Sequence, residues 1–248
     1  MRAIIEMEIR KNIQDKGLLF WMILLPMIFT VLFISMFTSG ANDIMREEII
    51  ISIVPGYVVM FVFFIMISMV SAFIKDRDNG MVARLASTPL TPLLYLLGKW
   101  IPYMFIVLIQ IIILFGFGKM VYQIPIGQPI LVSILSLILT ITVTSLGLAL
   151  ALFAKTENMG IAITQLIALG GAMLGGLWMP VETMPQTMQT IAKLTPQYWA
   201  HQAFQDAMVQ SLSSTNFFIT ILILCCFGIV GFVLAYIQYP NYLKQARN

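Results

Sequence analysis

The chain has 248 residues, 60% of them apolar and only 10% charged, with a mean hydropathy of +0.94 and a formal net charge of +3. This composition excludes a water-soluble domain of useful size and describes a single membrane domain over residues 1–248. The small positive charge fits basic loops at a lipid surface, so anionic lipid is an expected partner and nucleic acid is not.

Six apolar runs, about 18–38, 49–74, 98–118, 130–154, 158–178 and 217–239, each approach or exceed the ~20 residues needed to cross ~30 Å of hydrocarbon as a helix. Eleven of the fourteen Lys and Arg residues lie in alternate gaps: Arg2, Arg10, Lys11 and Lys16; Lys75, Arg77, Arg84 and Lys99; Lys155; Lys244 and Arg247. Arg46, Lys119 and Lys193 share the other three gaps. Basic loops stay in the cytoplasm, so both termini are expected there.

Residues 1–16 carry Ile5, Ile9 and Ile13 on one helical face and a Glu6–Arg10 pair on another, which predicts an interfacial helix with Arg10, Lys11 and Lys16 at the headgroups. An ordinary positive flank that orients the first span is the alternative. The stretch Gly17–Phe37 is too long for the ~7–15 residue core of a cleaved export signal, and reads as a retained span. Pro26 predicts a kink in it. Residues 39–48 make a short turn, and span two carries Pro55-Gly56 near its outer end. In the gap 75–92, charges alternate through Asp78, Asn79-Gly80 breaks the chain, and Met81, Val82 and Leu85 form a short amphipathic piece that ends before Pro89.

Span three has Trp100 and Pro102 near its inner end. Span four shows a seam of small and hydroxylated residues: Ser133, Ser136, Thr140, Thr144, Gly147 and Ala151. Span five follows Thr156, an expected N-cap, and carries Gly171 and Gly175 at small-xxx-small spacing. Beyond Trp178, Thr183 and Gln186 fit a capping box, with Pro185 in the first turn and an apolar stripe of Met184, Met188, Ile191 and Ala192. Thr195-Pro196 starts a second amphipathic stretch with Tyr198, Trp199, Phe204 and Met208. Residues 179–212 therefore predict short external helices that rest on the outer membrane face or dip into it.

Charge is missing where a self-powered carrier needs it. No Asp, Glu, Lys or Arg falls at the middle of a run, and the acids, among them Glu8, Asp76 and Glu157, lie in gaps and flanks. No G-x-x-x-x-G-K-[ST] phosphate loop, H-E-x-x-H pair or G-x-S-x-G turn occurs, so neither ATP hydrolysis by that route nor catalysis is expected, and no metal site is read. His201 reads as an interfacial histidine, and Cys225 and Cys226 as packing or lipid-facing groups. Gln110, Gln165 and the span-four hydroxyls Ser136, Thr140 and Thr144 have two readings: helix–helix packing, or the lining of a path for a bulky amphiphile.

The run Arg77-Asp78-Asn79-Gly80, then Arg84-Leu85, Ser87-Thr88-Pro89-Leu90 and Gly98-Lys99, resembles the cytoplasmic loop of ABC-2 type transporter permeases. The run Gly175-Gly176-Leu177-Trp178-Met179-Pro180, then Met184-Pro185, Thr195-Pro196 and Trp199, is similar to the signature that follows the fifth span of that family. Asp78 stands where the family commonly has Glu. The resemblance implies an all-α polytopic fold with six transmembrane helices, an N-terminal interfacial helix and short external helices. It implies a permease subunit without a motor, in the plasma membrane of a bacterium, paired with a second six-span permease. A cytosolic ATPase would supply ATP and Mg chemistry, leaving this chain without a cofactor. Arg10, Lys11, Arg77, Asp78, Gly80, Arg84, Thr88 and Pro89 would couple to that ATPase; Gln110, Ser136, Thr140, Thr144 and Gln165 would line the substrate path. Met179, Pro180, Glu182, Pro185 and Pro196 would form an external gate. The lean outer gap resembles the drug and antibiotic-resistance branch. A self-contained carrier or channel and a non-transport scaffold or sensor are the competing classes.

Overall fold

The computed structural model describes residues 2–40, 42–178 and 180–247. Every regular element among them is helical, and six helices are long and apolar enough to cross a membrane: Lys16–Phe37, Asp43–Asp78, Pro92–Tyr122, Pro129–Phe153, Glu157–Leu174 and Ser214–Ala246, spans one to six. A leading helix, Arg2–Gln14, precedes them, and a loop helix, Met81–Ala86, joins spans two and three. A short cap helix, Gln186–Ala192, and an inserted helix, Pro196–Met208, lie between spans five and six. The leading helix and the end of span six both bind the end of span two, through Asp76 and Arg77, at one end of the bundle, here the basic end; the cap and inserted helices occupy the far end.

Local chemistry explains the departures from the expected boundaries. Span three starts at Pro92, because Thr91 caps it by accepting the Leu94 N–H at 3.4 Å and a proline at the first turn needs no N–H partner. Span five ends at Leu174 rather than 178, because Gly176 turns the chain with φ +79° and Leu177 N–H bonds back to the Ala172 carbonyl at 3.0 Å. Span one meets Pro26 with a π-helical turn, Phe20–Leu24, which absorbs the missing hydrogen bond and the ring's clash with the preceding turn. The expected capping box is replaced. Thr183 belongs to a preceding 3-10 turn, Val181–Thr183, and gives its hydroxyl to the Pro180 carbonyl; Pro185 is itself the N-cap of the cap helix. Its stripe is split, with Met184 and Ala192 buried but Met188 and Ile191 exposed.

Spans two and four form the buried centre, and spans one, three, five and six lie around it. The span-four seam is a packing surface: Ser136, Thr140 and Thr144 return their hydroxyls to the carbonyls of Val132, Ser136 and Thr140 at 2.6–2.8 Å. Ser133 makes the same type of bond but is exposed. With those groups satisfied, small residues admit close neighbours. Gly147 sits against Met66 and Met69 of span two, and Gly231 of span six lies against the span-four backbone at Ser145 and Leu146. Thr142 adds a hydrogen bond to the Leu224 carbonyl at 2.9 Å. Gly171, read as a span-packing glycine, instead receives Gln197 of the inserted helix.

A methyl group at Gly231 would fall 2.8 Å from the Leu146 nitrogen, whereas Gly116 and Gly170 have open space at that point. Gly231→Ala is expected to cost about 1–3 kcal/mol by forcing two backbones apart. Gly116→Ala and Gly170→Ala should be neutral or stabilising by about 0.5–1 kcal/mol, as helix propensity dictates. Thermal unfolding in detergent micelles checks the contrast.

Candidate functional site

At the basic end, the leading helix is held by buried charge. Lys99, about two turns inside span three, donates to Glu8 Oε1 at 2.7 Å and to Asp76 Oδ2; Lys11 donates to Asp76 Oδ1 at 2.9 Å. Glu8 and Lys99 are each 0% exposed, and the Lys99 ammonium also lies 5.0 Å from the centre of the Phe73 ring. Two cations balance two carboxylates, so the knot carries no net charge. Phe73 is fixed in turn by Tyr242 of span six, whose hydroxyl donates to the Phe73 carbonyl at 2.7 Å, and by the edge of Tyr95. Glu8, Asp76 and Lys99, expected in gaps and flanks, are all three buried. The docked face of the leading helix runs through Ile4, Glu8 and Asn12; Ile5 and Ile9 are half-buried beside it and Ile13 is exposed. The available sequence signal was the i, i+4, i+8 row of Ile4, Glu8 and Asn12, outweighed by the apolar row one position later.

The eight expected coupling residues divide into two sets. Arg10 pairs with Glu6 at 2.8 Å on the exposed face, and Asp78, Arg84, Thr88 and Pro89 are exposed. Gly80 takes φ +68°, open to glycine at little cost, and so starts the loop helix. Val82 buries against the bundle and anchors that helix, leaving Arg84 outward. Arg77 turns inward, and Lys11 reaches Asp76 from an exposed position. Arg77 binds Asp78, Gln245 and the Lys155 carbonyl at 2.9, 3.3 and 3.0 Å, tying span two to span six and to the gap before span five.

A cavity of about 640 Å³ runs between spans one, two and five and ends at the leading helix. Its wall on span two extends from Tyr57 to Lys75, a rise of about 27 Å at ~1.5 Å per residue, close to the ~30 Å of hydrocarbon in a bilayer. Aromatic residues Phe29, Phe33, Tyr57, Phe61 and Trp178 line the far part, while Lys11, Asn12, Asp15, Lys75 and Tyr103 line the basic end. Of the five expected path residues, Gln165 lines this cleft. Gln110, Ser136, Thr140 and Thr144 are buried elsewhere in the bundle, which corrects their placement; Thr144 accepts the indole N–H of Trp100 at 2.8 Å. The cleft aromatics were not singled out in the sequence, because a Phe-rich run looks the same whether it faces lipid, core or cavity.

At the far end, Met179 lies outside the described residues. Pro180, Glu182 and Pro185 are exposed, while Pro196 is buried in the first turn of the inserted helix, where Thr195 caps it by accepting the Tyr198 N–H at 3.3 Å. That helix dips into the bundle: Gln197 donates to the Ile167 carbonyl of span five at 3.0 Å, and Phe204 packs on Phe115 of span three. His201, expected at the interface, is 1% exposed and holds the Ser52 carbonyl of span two through Nε2 at 3.1 Å. Burial holds its pKa down to about 4, against a smaller opposing contribution from the Ser52 carbonyl, so the ring is neutral at pH 7.

The family described as "ABC-2 family transporter protein" matches residues 45–237. The chain is 25% identical over 194 residues to the linearmycin resistance permease protein LnrN of Bacillus subtilis (strain 168), covering 77% of this chain and 48% of that protein. It is 27% identical over 201 residues to "Putative transport permease YvfS" of the same organism, covering 77% of this chain and 78% of that one. Against "Probable multidrug ABC transporter permease YbhR" of Escherichia coli (strain K12), identity is 25% over 123 residues, or 49% of this chain and 33% of that protein. The chain thus spans about half the length of the first of these relatives and a third of the last.

Removing Lys99 strands Glu8 out of water and leaves Asp76 with Lys11 alone. Lys99→Ala is expected to cost about 3–5 kcal/mol, whereas Arg10→Gln, which breaks an exposed pair, should cost under about 0.5 kcal/mol; unfolding midpoints of the two variants test this. The neutral His201 gives an acid-side dependence. Once unfolded, the ring binds a proton near its ordinary pKa of 6.5; in the fold it does so only near 4. Its stabilising contribution is full above pH 6.5 and falls away as the pH drops to about 4, a total of about 3 kcal/mol. Midpoints measured across that range should flatten in His201→Gln.

Proposed function

This chain belongs to the ABC-2 transporter family, and we propose that it serves as the membrane-spanning subunit of an ATP-binding cassette exporter, moving an amphiphilic substrate outward with energy from a separate cytosolic ATPase. One observation carries the reading: span two is both a wall of the cleft and, through Asp76 and the loop helix that follows it with Arg84 outward, the element that a motor at the basic end would push. A cleft nearly as long as the membrane is thick, with uncharged residues over most of its length, suits a drug, lipid, antibiotic or peptide-like molecule better than an ion. The resistance and multidrug names of two relatives support the same substrate class.

In this reading the basic end faces the cytoplasm of a bacterium, which its Lys and Arg content supports, and the chain sits in the plasma membrane. ATP and Mg are bound and used by the partner. The exposed groups Arg10, Asp78, Arg84, Thr88 and Pro89 meet that partner, while Lys11, Arg77 and Gly80 hold the contact surface in shape. The peripheral spans one and five leave the cleft open at one side, where a second six-span permease, identical or related, would close it. Gln165 belongs to the path; Pro180, Glu182, Pro185 and Pro196 flank its exit.

Co-expression with the cognate ATPase tests the coupling. Arg84→Glu, or a proline placed within residues 81–85, is expected to cut co-purification of the ATPase at least tenfold while membrane insertion stays at the wild-type level. Vesicles holding both proteins should move substrate only with ATP and an intact Walker lysine in the partner. Co-purification at full yield with the Arg84→Glu variant would remove the loop helix from the coupling role.

A further inference from the structure

The loop helix does not hang from span two alone. It packs on spans two and six together, with Val82 buried and Leu85 half-buried on the same core as Leu243 of span six. Span six stays helical for about two turns past the end of its apolar run, and those turns keep a buried face through Tyr239 and Tyr242. Two polar contacts bolt that face to the last turns of span two. The Tyr242 hydroxyl donates to the Phe73 carbonyl at 2.7 Å, fully buried, and Arg77 donates to Gln245 Oε1 at 3.3 Å. Tyr95 of span three touches both sides, with its ring 6.2 Å from Phe73 and 5.4 Å from Tyr239. A phenylalanine at 242 would bury the same ring, so what the hydroxyl adds is the bond to the span-two backbone. A helix end held only by its own hydrogen bonds frays, and a frayed end yields when pushed. This end stands just before Asn79-Gly80, where Gly80 takes φ +68° and the loop helix begins. Bolted to span six it is stiff, and span six is itself locked against span four at Gly231.

We propose that the end of span six is part of the coupling unit, with Tyr242 and Gln245 as its positioning residues. They make the loop helix, the last turn of span two and the end of span six one body. A push on the loop helix then reaches the cleft wall on span two instead of being absorbed at Asn79-Gly80. This assignment rests on the reading of the chain as a motor-driven permease, and it names the contacts inside the chain that carry the stroke.

The test measures distances between spin labels on the full chain, in nanodiscs with the cognate ATPase, without nucleotide and with ATP trapped by vanadate. Cys225 and Cys226 are first replaced by alanine. One label pair, Ser87→Cys and Lys244→Cys, joins the loop helix to the end of span six; the other, Met36→Cys and Met173→Cys, reports the far mouth of the cleft from exposed positions on spans one and five. With Tyr242 and Gln245 intact, the first distance should stay fixed while the second shifts on trapping. In Tyr242→Phe/Gln245→Leu, the ATPase should co-purify at the wild-type yield and the melting temperature should stay within a few degrees. The first distance should then broaden, and the cleft shift should fall to less than half. Tyr242→Phe alone, which keeps the ring, should lose part of the shift and serves as the test if the double variant does not fold. A full cleft shift in these variants overturns the proposal and returns both residues to packing. Loss of ATPase co-purification also overturns it, since the end of span six would then be a docking surface and not a lever. No cleft shift with Tyr242 and Gln245 intact, despite trapped nucleotide, would sink the transport reading and the lever with it.

Discussion

An ammonium group buried between two carboxylates cannot be released cheaply, and at the basic end of this bundle that rule fixes the architecture. Lys99 of span three, Asp76 of span two and Glu8 of the leading helix are each useless alone in a dry environment, and each is held because the others are present. Such a knot adds little net stability over an apolar equivalent. Its effect is positional, because only one docking of the leading helix brings Glu8 to Lys99 while Lys11 reaches Asp76.

Span two gathers the consequences. It supplies Asp76 and Phe73 to the knot, continues past Asn79-Gly80 into the loop helix, forms one wall of the cleft, and accepts the inserted helix through Ser52. Glycines lock spans two, four and six together, with Gly147 and Gly231 at the points of closest approach. Spans one and five border the cleft. The proposed motor would act on the glycine-locked spans through the loop helix and its outward Arg84.

The sequence was legible where its signal is an average over many residues. Six apolar runs, the short helices after span five and the alternation of basic gaps survive the misplacement of any one side chain. The helix boundaries moved where Asn42 and Thr91 cap spans two and three ahead of their apolar runs, so that span two takes in part of the expected turn 39–48. They also moved where span six runs on past its apolar run to 246, and where Gly176 turns the chain. It was illegible where two readings share one pattern. The hydroxyl seam of span four has the spacing of a cavity lining, yet its groups bond to their own helix. Ile5, Ile9 and Ile13 have the spacing of a buried face, yet the docked face is the polar one beside it, because Lys99 waits there. Glu8 and His201 read as surface groups because their partners, Lys99 and the Ser52 carbonyl, lie 91 and 149 residues away. Pairing at that distance leaves no mark in a local window.

The claim that buried charge holds the leading helix to the bundle is tested most directly by hydrogen exchange of its backbone amides in the wild type and in Lys99→Met. In the wild type, the amides of residues 6–14 should exchange as slowly as those near Phe73. In the variant they should exchange like those of a free surface helix, while spans four and six keep their protection. Fast exchange of the leading helix in the wild type, or protection unchanged by the loss of Lys99, would contradict the account.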